Sequence, residues 1–306
     1  MKWVKKGLIY NANEHQLDWA KDSALTPTPI LLNSDVIRIY FGARDTQGIS
    51  RIRFIDVSAN NPAEILQISQ KPSLDIGRAG AFDDNGVILG DVVKVNDQYY
   101  MFYVGFQLVQ QVKFLAFTGL AISNDNGVTF TRATQAPILD RSDEGLYIRA
   151  IHSAIFENGI WRIWYAAGND WLTIKKKPYP CYHINYTESA NPLSFPTKGR
   201  QCVQVEGDEY RIGRPRVYKN QQHYRMYYTK GSSDGSYLPG FAHSNDGLIW
   251  KRQDNLIGIE TSKTGWDAIH LCYPSLLTVS PNRTFMFYNG NFMGKDGFGY
   301  AEYISS

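Results

Sequence analysis

The sequence predicts an all-β chain folded as a five-bladed β-propeller of four-stranded antiparallel blades, a single domain over residues 1–306. Three observations carry that expectation. Five short apolar strands each end in an aromatic pair or triplet, they recur at nearly constant spacing, and each is preceded by a similar strand and, in most cases, a short polar turn. One unit recurring along a whole chain marks a repeat architecture rather than two unrelated domains.

The anchor strands are Ile37-Arg38-Ile39-Tyr40-Phe41, Tyr99-Tyr100-Met101-Phe102-Tyr103, Trp161-Arg162-Ile163-Trp164-Tyr165, Tyr224-Arg225-Met226-Tyr227-Tyr228 and Thr284-Phe285-Met286-Phe287-Tyr288. Their last aromatics stand 62, 62, 63 and 60 residues apart, which centres the blades near residues 40, 102, 164, 227 and 287. An apolar run precedes each anchor: Pro29-Ile30-Leu31-Leu32, Asp91-Val92-Val93-Lys94-Val95, residues 150–156, Pro215-Arg216-Val217-Tyr218 and Pro274-Ser275-Leu276-Leu277. Polar turns such as Asn33-Ser34-Asp35, Asn96-Asp97-Gln98, Glu157-Asn158-Gly159 and Asn220-Gln221-Gln222 join run to anchor, which is hairpin chemistry. A third strand follows, clearest at Gly119-Leu120-Ala121-Ile122-Ser123 and Gly240-Phe241-Ala242-His243-Ser244, with Phe130 and Trp250 opening a fourth. No segment keeps a helical period. The last unit ends near Tyr303 without room for its own outer strand, so Gly7-Leu8-Ile9-Tyr10 is expected to supply it and close the ring.

Bulk composition narrows the function. With 43% hydrophobic and 20% charged residues the chain can bury a sizeable core and is not disordered. Aromatics at 14% suit many half-buried strands and sites that stack sugars. A net charge of +3 argues against a nucleic-acid partner, and Lys175-Lys176-Lys177 beside prolines is most simply a solvated loop. Cys181, Cys202 and Cys272 are odd in number and widely spaced, so they form no disulfide framework. The basic start leads into no apolar stretch of signal-peptide length, and no segment reaches a membrane span. These features predict a soluble, cytoplasmic protein.

The segments Tyr40-Phe41-Gly42-Ala43-Arg44-Asp45, Phe82-Asp83-Asp84-Asn85-Gly86, Tyr210-Arg211-Ile212-Gly213-Arg214-Pro215 and Tyr288-Asn289-Gly290-Asn291 resemble those of uncharacterised propeller proteins from bacterial surface-polysaccharide gene clusters. The whole chain is similar to the five-bladed glycosidase superfamily: arabinanases and xylosidases, invertases and levansucrases, and mannoside phosphorylases. The resemblance implies carbohydrate chemistry without naming a reaction, because a fold by itself does not fix a function. Residues 123–130, Ser123-Asn124-Asp125-Asn126-Gly127-Val128-Thr129-Phe130, also match the Asp-box turn of sialidases. That motif is a turn tied by Ser and Asp side chains with its aromatic between blades, and sialidase domains carry six blades where five are counted here.

In a propeller the pocket lies at one mouth of the channel, where the innermost strands begin. Arabinanase-like relatives place an Asp, an Asp and a Glu there on blades one to three. By that resemblance this chain departs from the pattern: Thr26-Pro27 stands for the first Asp, Arg149-Ala150 for the Glu, and only Asp91 has a counterpart. Arginine replaces the acids. Arg214 and Arg216, two apart on a strand, share a face, and Arg44, Arg149 and Arg211 are expected at the same mouth. Guanidinium forks suit carboxylate or phosphate, which points to an anionic sugar, sugar phosphate or nucleotide sugar. The alternative is that they pair with Asp83, Asp84, Glu144, Glu209 and Asp267 to join blades.

Glycosidic chemistry normally takes two carboxyl groups, and Glu209, Asp84 and Asp45 are the candidate acids or bases. For Asp84 turn chemistry is the plain alternative, and for Asp45 a pairing with Arg44 or Arg51. Asp91, Asp267, His152, Trp266 and Tyr273 complete the expected substrate-binding set. The six histidines lack metal-ligand spacing, so neither metal nor cofactor is expected, with a channel calcium ion left open. The expected function is a carbohydrate-active, glycoside hydrolase-like enzyme that makes or breaks a glycosidic bond, as hydrolase, phosphorylase or glycosyltransferase. A non-catalytic sugar-binding propeller is the alternative.

Overall fold

The structure, a computed structural model, describes residues 2–220 and 223–304. Gln221 and Gln222 of the fourth expected turn lie outside the described residues. The chain is nearly all β. Strand β1 (Trp3–Asn11) comes first, and the strands after it pair antiparallel in four-stranded groups. The first group is β2 (Asp22–Leu31), β3 (Val36–Arg44), β4 (Ser50–Ser58) and β5 (Ile65–Ile68). The second is β6 (Val87–Val95), β7 (Gln98–Gln107), β8 (Leu115–Ser123) and β9 (Thr131–Arg132). The third is β10 (Ile148–Glu157), β11 (Ile160–Ile174), β12 (Lys177–Ser189) and β13 (Arg200–Val203). The fourth is β14 (Glu209–Asn220), β15 (His223–Ser232), β16 (Tyr237–Ser244) and β17 (Lys251–Arg252). The last is β18 (Cys272–Ser280), β19 (Arg283–Asn289) and β20 (Gly297–Tyr303), and β1 pairs with β20 to complete it. Two short parallel bridges, Ile148 to Ala116 and Tyr182 to Arg211, link the second, third and fourth groups.

The aromatic doublets explain the packing. Side chains alternate across a strand, so the two members of a doublet enter different cores. Tyr40 packs with the second group and Phe41 with the last. Tyr103 and Phe102 divide between the first and third groups, and Tyr165 and Trp164 between the second and fourth. Tyr228 and Tyr227 face the third and last groups, and Phe287 and Tyr288 the first and fourth. Each pair of consecutive groups thus shares a core, and one core joins the last group to the first. The inner strands β2, β6, β10, β14 and β18 lie side by side, and β18 lies against β2.

Turn chemistry fastens neighbouring groups. In the Asp-box turn the Ser123 hydroxyl donates to Asp125, whose carboxylate accepts from the Val128 and Thr129 N–H groups. The Tyr40 hydroxyl of the first group then donates to the Gly127 carbonyl at 2.6 Å, and Phe130 packs edge-on against Tyr40. Ser244 and Asp246 build the second copy, and Trp164 Nε1 of the third group donates to the Gly247 carbonyl. The motif is a structural fastener at both places.

Candidate functional site

At one level in each group the inner strand slips out of register with its neighbour, opposite the aromatic doublet. The breaks fall between Leu25 and Thr28, Leu89 and Asp91, Ile151 and Ser153, Gly213 and Arg216, and Cys272 and Ser275. A β-bulge kinks its strand and re-aims a side chain. Three of these bulges are X-Pro pairs, Thr26-Pro27, Arg214-Pro215 and Tyr273-Pro274, and their first residues sit at φ of 56°, 55° and 57°. Left-handed backbone is costly for bulky side chains and most of all for a β-branched Thr. The second bulge is Gly90, where a Cβ would lie 2.2 Å from the Ile151 carbonyl oxygen, so only glycine fits. The third is His152.

These bulges surround a small cavity lined by Thr26, Pro27, Thr28, Gly90, His152, Arg214, Arg216 and Tyr273. Its volume, about 10 Å³ open to the centre of a water-sized sphere, is room for about one small occupant. Arg216 is the hub of this throat. It donates to Ser275 Oγ (3.1 Å), the Gly90 and His152 carbonyls (each 3.2 Å) and the Asp91 carboxylate, joining four groups. Asp91 also accepts from the Val92 and Ala154 N–H groups. Arg214 has one hydrogen bond, from Nη1 to the Leu89 carbonyl at 2.6 Å, and lies 5.4 Å from the Tyr273 ring. No carboxylate faces it among the described residues. His152 is 5% exposed, and neither its Nδ1 nor Thr26 Oγ1 has a hydrogen-bond partner among the described residues. Burial first, then the charges of Arg214 and Arg216, hold the His152 pKa well below 6.5 and keep the ring neutral. Burial also raises the Tyr273 phenol, which stays protonated.

Three residues before Arg214 on β14, Arg211 is buried with no carboxylate partner and with Nε unsatisfied among the described residues. Tyrosines enclose it: its guanidinium carbon lies 4.3 Å from the Tyr237 ring, 5.1 Å from Tyr210 and 5.7 Å from Tyr179. Tyr179 comes from the β11–β12 hairpin, which runs well past the neighbouring strands and is capped by Lys175 and Lys176 in left-handed turn geometry. The expected solvated loop is this hairpin tip. Its contact with Arg211 was not legible in the repeat, and the one signal was the unusual length of the two strands.

The proposed acids lie elsewhere or are engaged. Glu209 makes a bidentate pair with Arg252 (2.8 and 2.9 Å) and meets Lys230 at 3.3 Å. Burial raises its pKa, but the bonds from Arg252 and the Glu206 N–H outweigh that and hold it below the usual range. Asp45 pairs with Arg51 at 2.9 Å and accepts from the Gln47 and Ile49 N–H groups. There too burial is outweighed by these bonds, and the pKa is lowered. Asp84 accepts from the Gly80 N–H in a turn. Arg149 joins Glu144 at 2.8 Å, and Glu144 also takes bonds from Tyr165, Asn185 and the Gly199 N–H. Asp267 holds Lys5 at 2.7 Å and the Tyr288 hydroxyl at 3.0 Å, and Trp266 stacks on Tyr288 between groups. Arg44 ends β3 with no side-chain partner among the described residues. The structure therefore brings Arg211, Arg214, Arg216, Asp91, His152 and Tyr273 together, and leaves Glu209, Asp84, Asp45, Arg149, Asp267 and Trp266 outside. A wider, open groove of about 660 Å³, sharing no lining residue with this cavity, lies beside Arg78, Phe117 and Arg141.

Among the described residues no group of three His, Cys, Asp or Glu could hold a metal, and no helix is long and apolar enough to cross a membrane. An almost wholly β chain with this topology has a glycoside hydrolase-like propeller fold. It superposes on a solved glycoside hydrolase with a TM-score of 0.75 at 15% identity, over 99% of this chain and 92% of that one. It also matches a β-1,2-mannobiose phosphorylase from Listeria innocua, solved with β-1,2-mannobiose, with a TM-score of 0.71 at 13% identity, over 99% and 96% of the two chains. Such low identities show the fold alone. No protein-family model matches the chain. It is 31% identical over 304 residues to Rv1502 of Mycobacterium tuberculosis strain ATCC 25618 / H37Rv, described as an uncharacterized protein, covering 98% of this chain and 99% of that one. The chain belongs to the Rv1502 family. MT1551 of strain CDC 1551 / Oshkosh matches equally, at 31% over 304 residues.

Proposed function

We propose that the five groups are the blades of one closed propeller, and that the protein is a carbohydrate-active enzyme whose mouth takes an anionic saccharide. The observation that carries this is Arg211, a buried guanidinium without a carboxylate partner among the described residues, set among tyrosines. A buried charge left unpaired is costly, so such a charge is kept where a ligand supplies the counter-charge. The ligand class is a sugar phosphate, nucleotide sugar or carboxylate-bearing glycan. Tyrosine rings offer stacking faces and hydroxyls to the sugar. Two-carboxylate hydrolysis finds no support, since the candidate acids are tied in ion pairs, salt-linked networks or turns. Phosphorolysis, in which inorganic phosphate attacks the anomeric carbon as the glycosidic bond breaks, or transfer from a phosphate-bearing donor fits the mouth better. A cytoplasmic place in surface-polysaccharide metabolism rests on the sequence resemblance and the sparse cysteines.

The engagement of Glu209, Asp45 and Asp91 equally favours a second proposal, a non-catalytic sugar-binding propeller. One experiment addresses both. Thermal unfolding is followed against neutral oligosaccharides, sugar phosphates with free phosphate, and nucleotide sugars, with Arg211→Gln in parallel. Stabilisation confined to phosphate-bearing compounds and lost in Arg211→Gln supports the anion site. Stabilisation by neutral oligosaccharides alone discards it. Incubation of the stabilising compound then separates enzyme, which consumes it, from binder, which does not.

A further inference from the structure

We propose that the throat is a site for a single halide-sized anion, held by Arg214, Arg216, His152, Thr26 and Tyr273. Size comes first: the cavity has room for about one water-sized occupant and excludes phosphate or a sugar ring. Charge comes second. Two guanidiniums line it, the one carboxylate nearby, Asp91, is already bound to Arg216, and Arg214 has no counter-ion. Hydrogen-bonding capacity comes third. Arg214 spends one of its five N–H groups on the Leu89 carbonyl, and His152 Nδ1 and the Thr26 hydroxyl have no partner among the described residues. Buried polar groups are normally satisfied, and unsatisfied ones converging on a single void point to an occupant. The bulges at Thr26, Arg214 and Tyr273 hold strained left-handed backbone at this one level, which concentrates the cost of building the void where the occupant sits.

A channel calcium ion does not fit this lining. Calcium takes six to eight oxygen ligands, whereas the Gly90 and His152 carbonyls already accept from Arg216. The throat presents N–H and O–H donors and positive charge, the reverse of a cation site. This site does not depend on the saccharide proposal, which concerns Arg211 and the tyrosines above.

The test uses the whole chain in two measurements. In the first, chloride replaces gluconate at constant ionic strength while thermal unfolding is followed. Chloride at about 100 times its dissociation constant is expected to raise Tm by about 4 °C for a chain of this size. Arg214→Met should abolish that shift, and Lys175→Met, an exposed cation, should keep it. If Arg214→Met does not fold, Thr26→Val serves, with a reduced shift expected. In the second, crystals grown in sodium bromide should show one anomalous peak in the throat beside Arg214 and His152. Equal Tm in chloride and gluconate, a throat without a bromide peak, or stabilisation by calcium chloride that sodium chloride at equal chloride does not reproduce overturns the proposal.

Discussion

Arg214 and Arg216 stand two residues apart on β14, line the same void, and should behave oppositely when truncated to Met, which keeps the apolar stem. Arg216→Met removes the donor to Ser275, Gly90 and His152 and strands the Asp91 carboxylate, whose side chain is 15% exposed. Removing one partner of a buried pair costs about 3–5 kcal/mol. Asp91 keeps two backbone N–H donors, so the lower end, about 3 kcal/mol, is the expected loss. Unfolding entropy of about 2.1 cal/mol/K per residue over 306 residues gives about 1.6 °C per kcal/mol, hence a Tm drop of about 5 °C. Arg214→Met loses one hydrogen bond, about 1 kcal/mol, and relieves a half-buried charge with no counter-ion among the described residues. Its Tm should move by less than about 2 °C in halide-free buffer. Circular dichroism melts at pH 7 decide this. A drop of several degrees in Arg214→Met, or none in Arg216→Met, refutes the division into a ligand arginine and a structural hub.

Three further outcomes follow from the same geometry. Glu209→Gln breaks the bidentate pair with Arg252 and should lower Tm by about 2–5 °C for about 1–3 kcal/mol lost; an unchanged Tm with lost turnover would restore Glu209 to catalysis. Asp254, bonded by Lys230, Tyr228 and Arg252, has its pKa held down to about 2 despite burial, from an ordinary 3.8. A lowered carboxyl pKa stabilises above the unfolded value and loses that stabilisation as pH falls through the folded one. Stability should therefore decline between about pH 4 and pH 2, and Asp254→Asn should flatten the decline in acid titrations followed by fluorescence. Gly90→Ala sets a methyl against the Ile151 and Phe102 carbonyls and should yield insoluble protein, or a Tm loss exceeding that of Arg216→Met; a soluble variant melting like the wild type would refute the tight approach of β6 and β10.

The strand repeat was legible because each aromatic doublet serves two cores at once, a demand that cannot drift within the sequence. The pairing of Gly7-Leu8-Ile9-Tyr10 with the last group was legible from the missing outer strand. Arg214 and Arg216 were legible as neighbours on one face, but their different partners were not: Asp91 and Leu89 lie over a hundred residues away. The bulges left a trace in Thr26-Pro27, Arg214-Pro215 and Tyr273-Pro274, three X-Pro pairs at one level, yet Gly90 and His152 achieve the same bend without proline. Glu209 stood out because it precedes an arginine-rich strand, but its partner was not legible. What fixes it is Arg252, brought alongside by a meander whose turns, not its residue types, decide which charges meet.

The pairing of β1 with β20 also dictates when the molecule can become whole. Trp3 aligns with Tyr303 and Asn11 with Gly297, so β1 must wait for β20 before it is paired. Until then both margins of the unfinished sheet stack are open, with unpaired N–H and C=O groups available to another chain. Contacts this remote along the chain are slow to form, so synthesis should pass through a nearly complete, unlatched species. That species, not the latched fold, is where misassembly and chaperone capture would act.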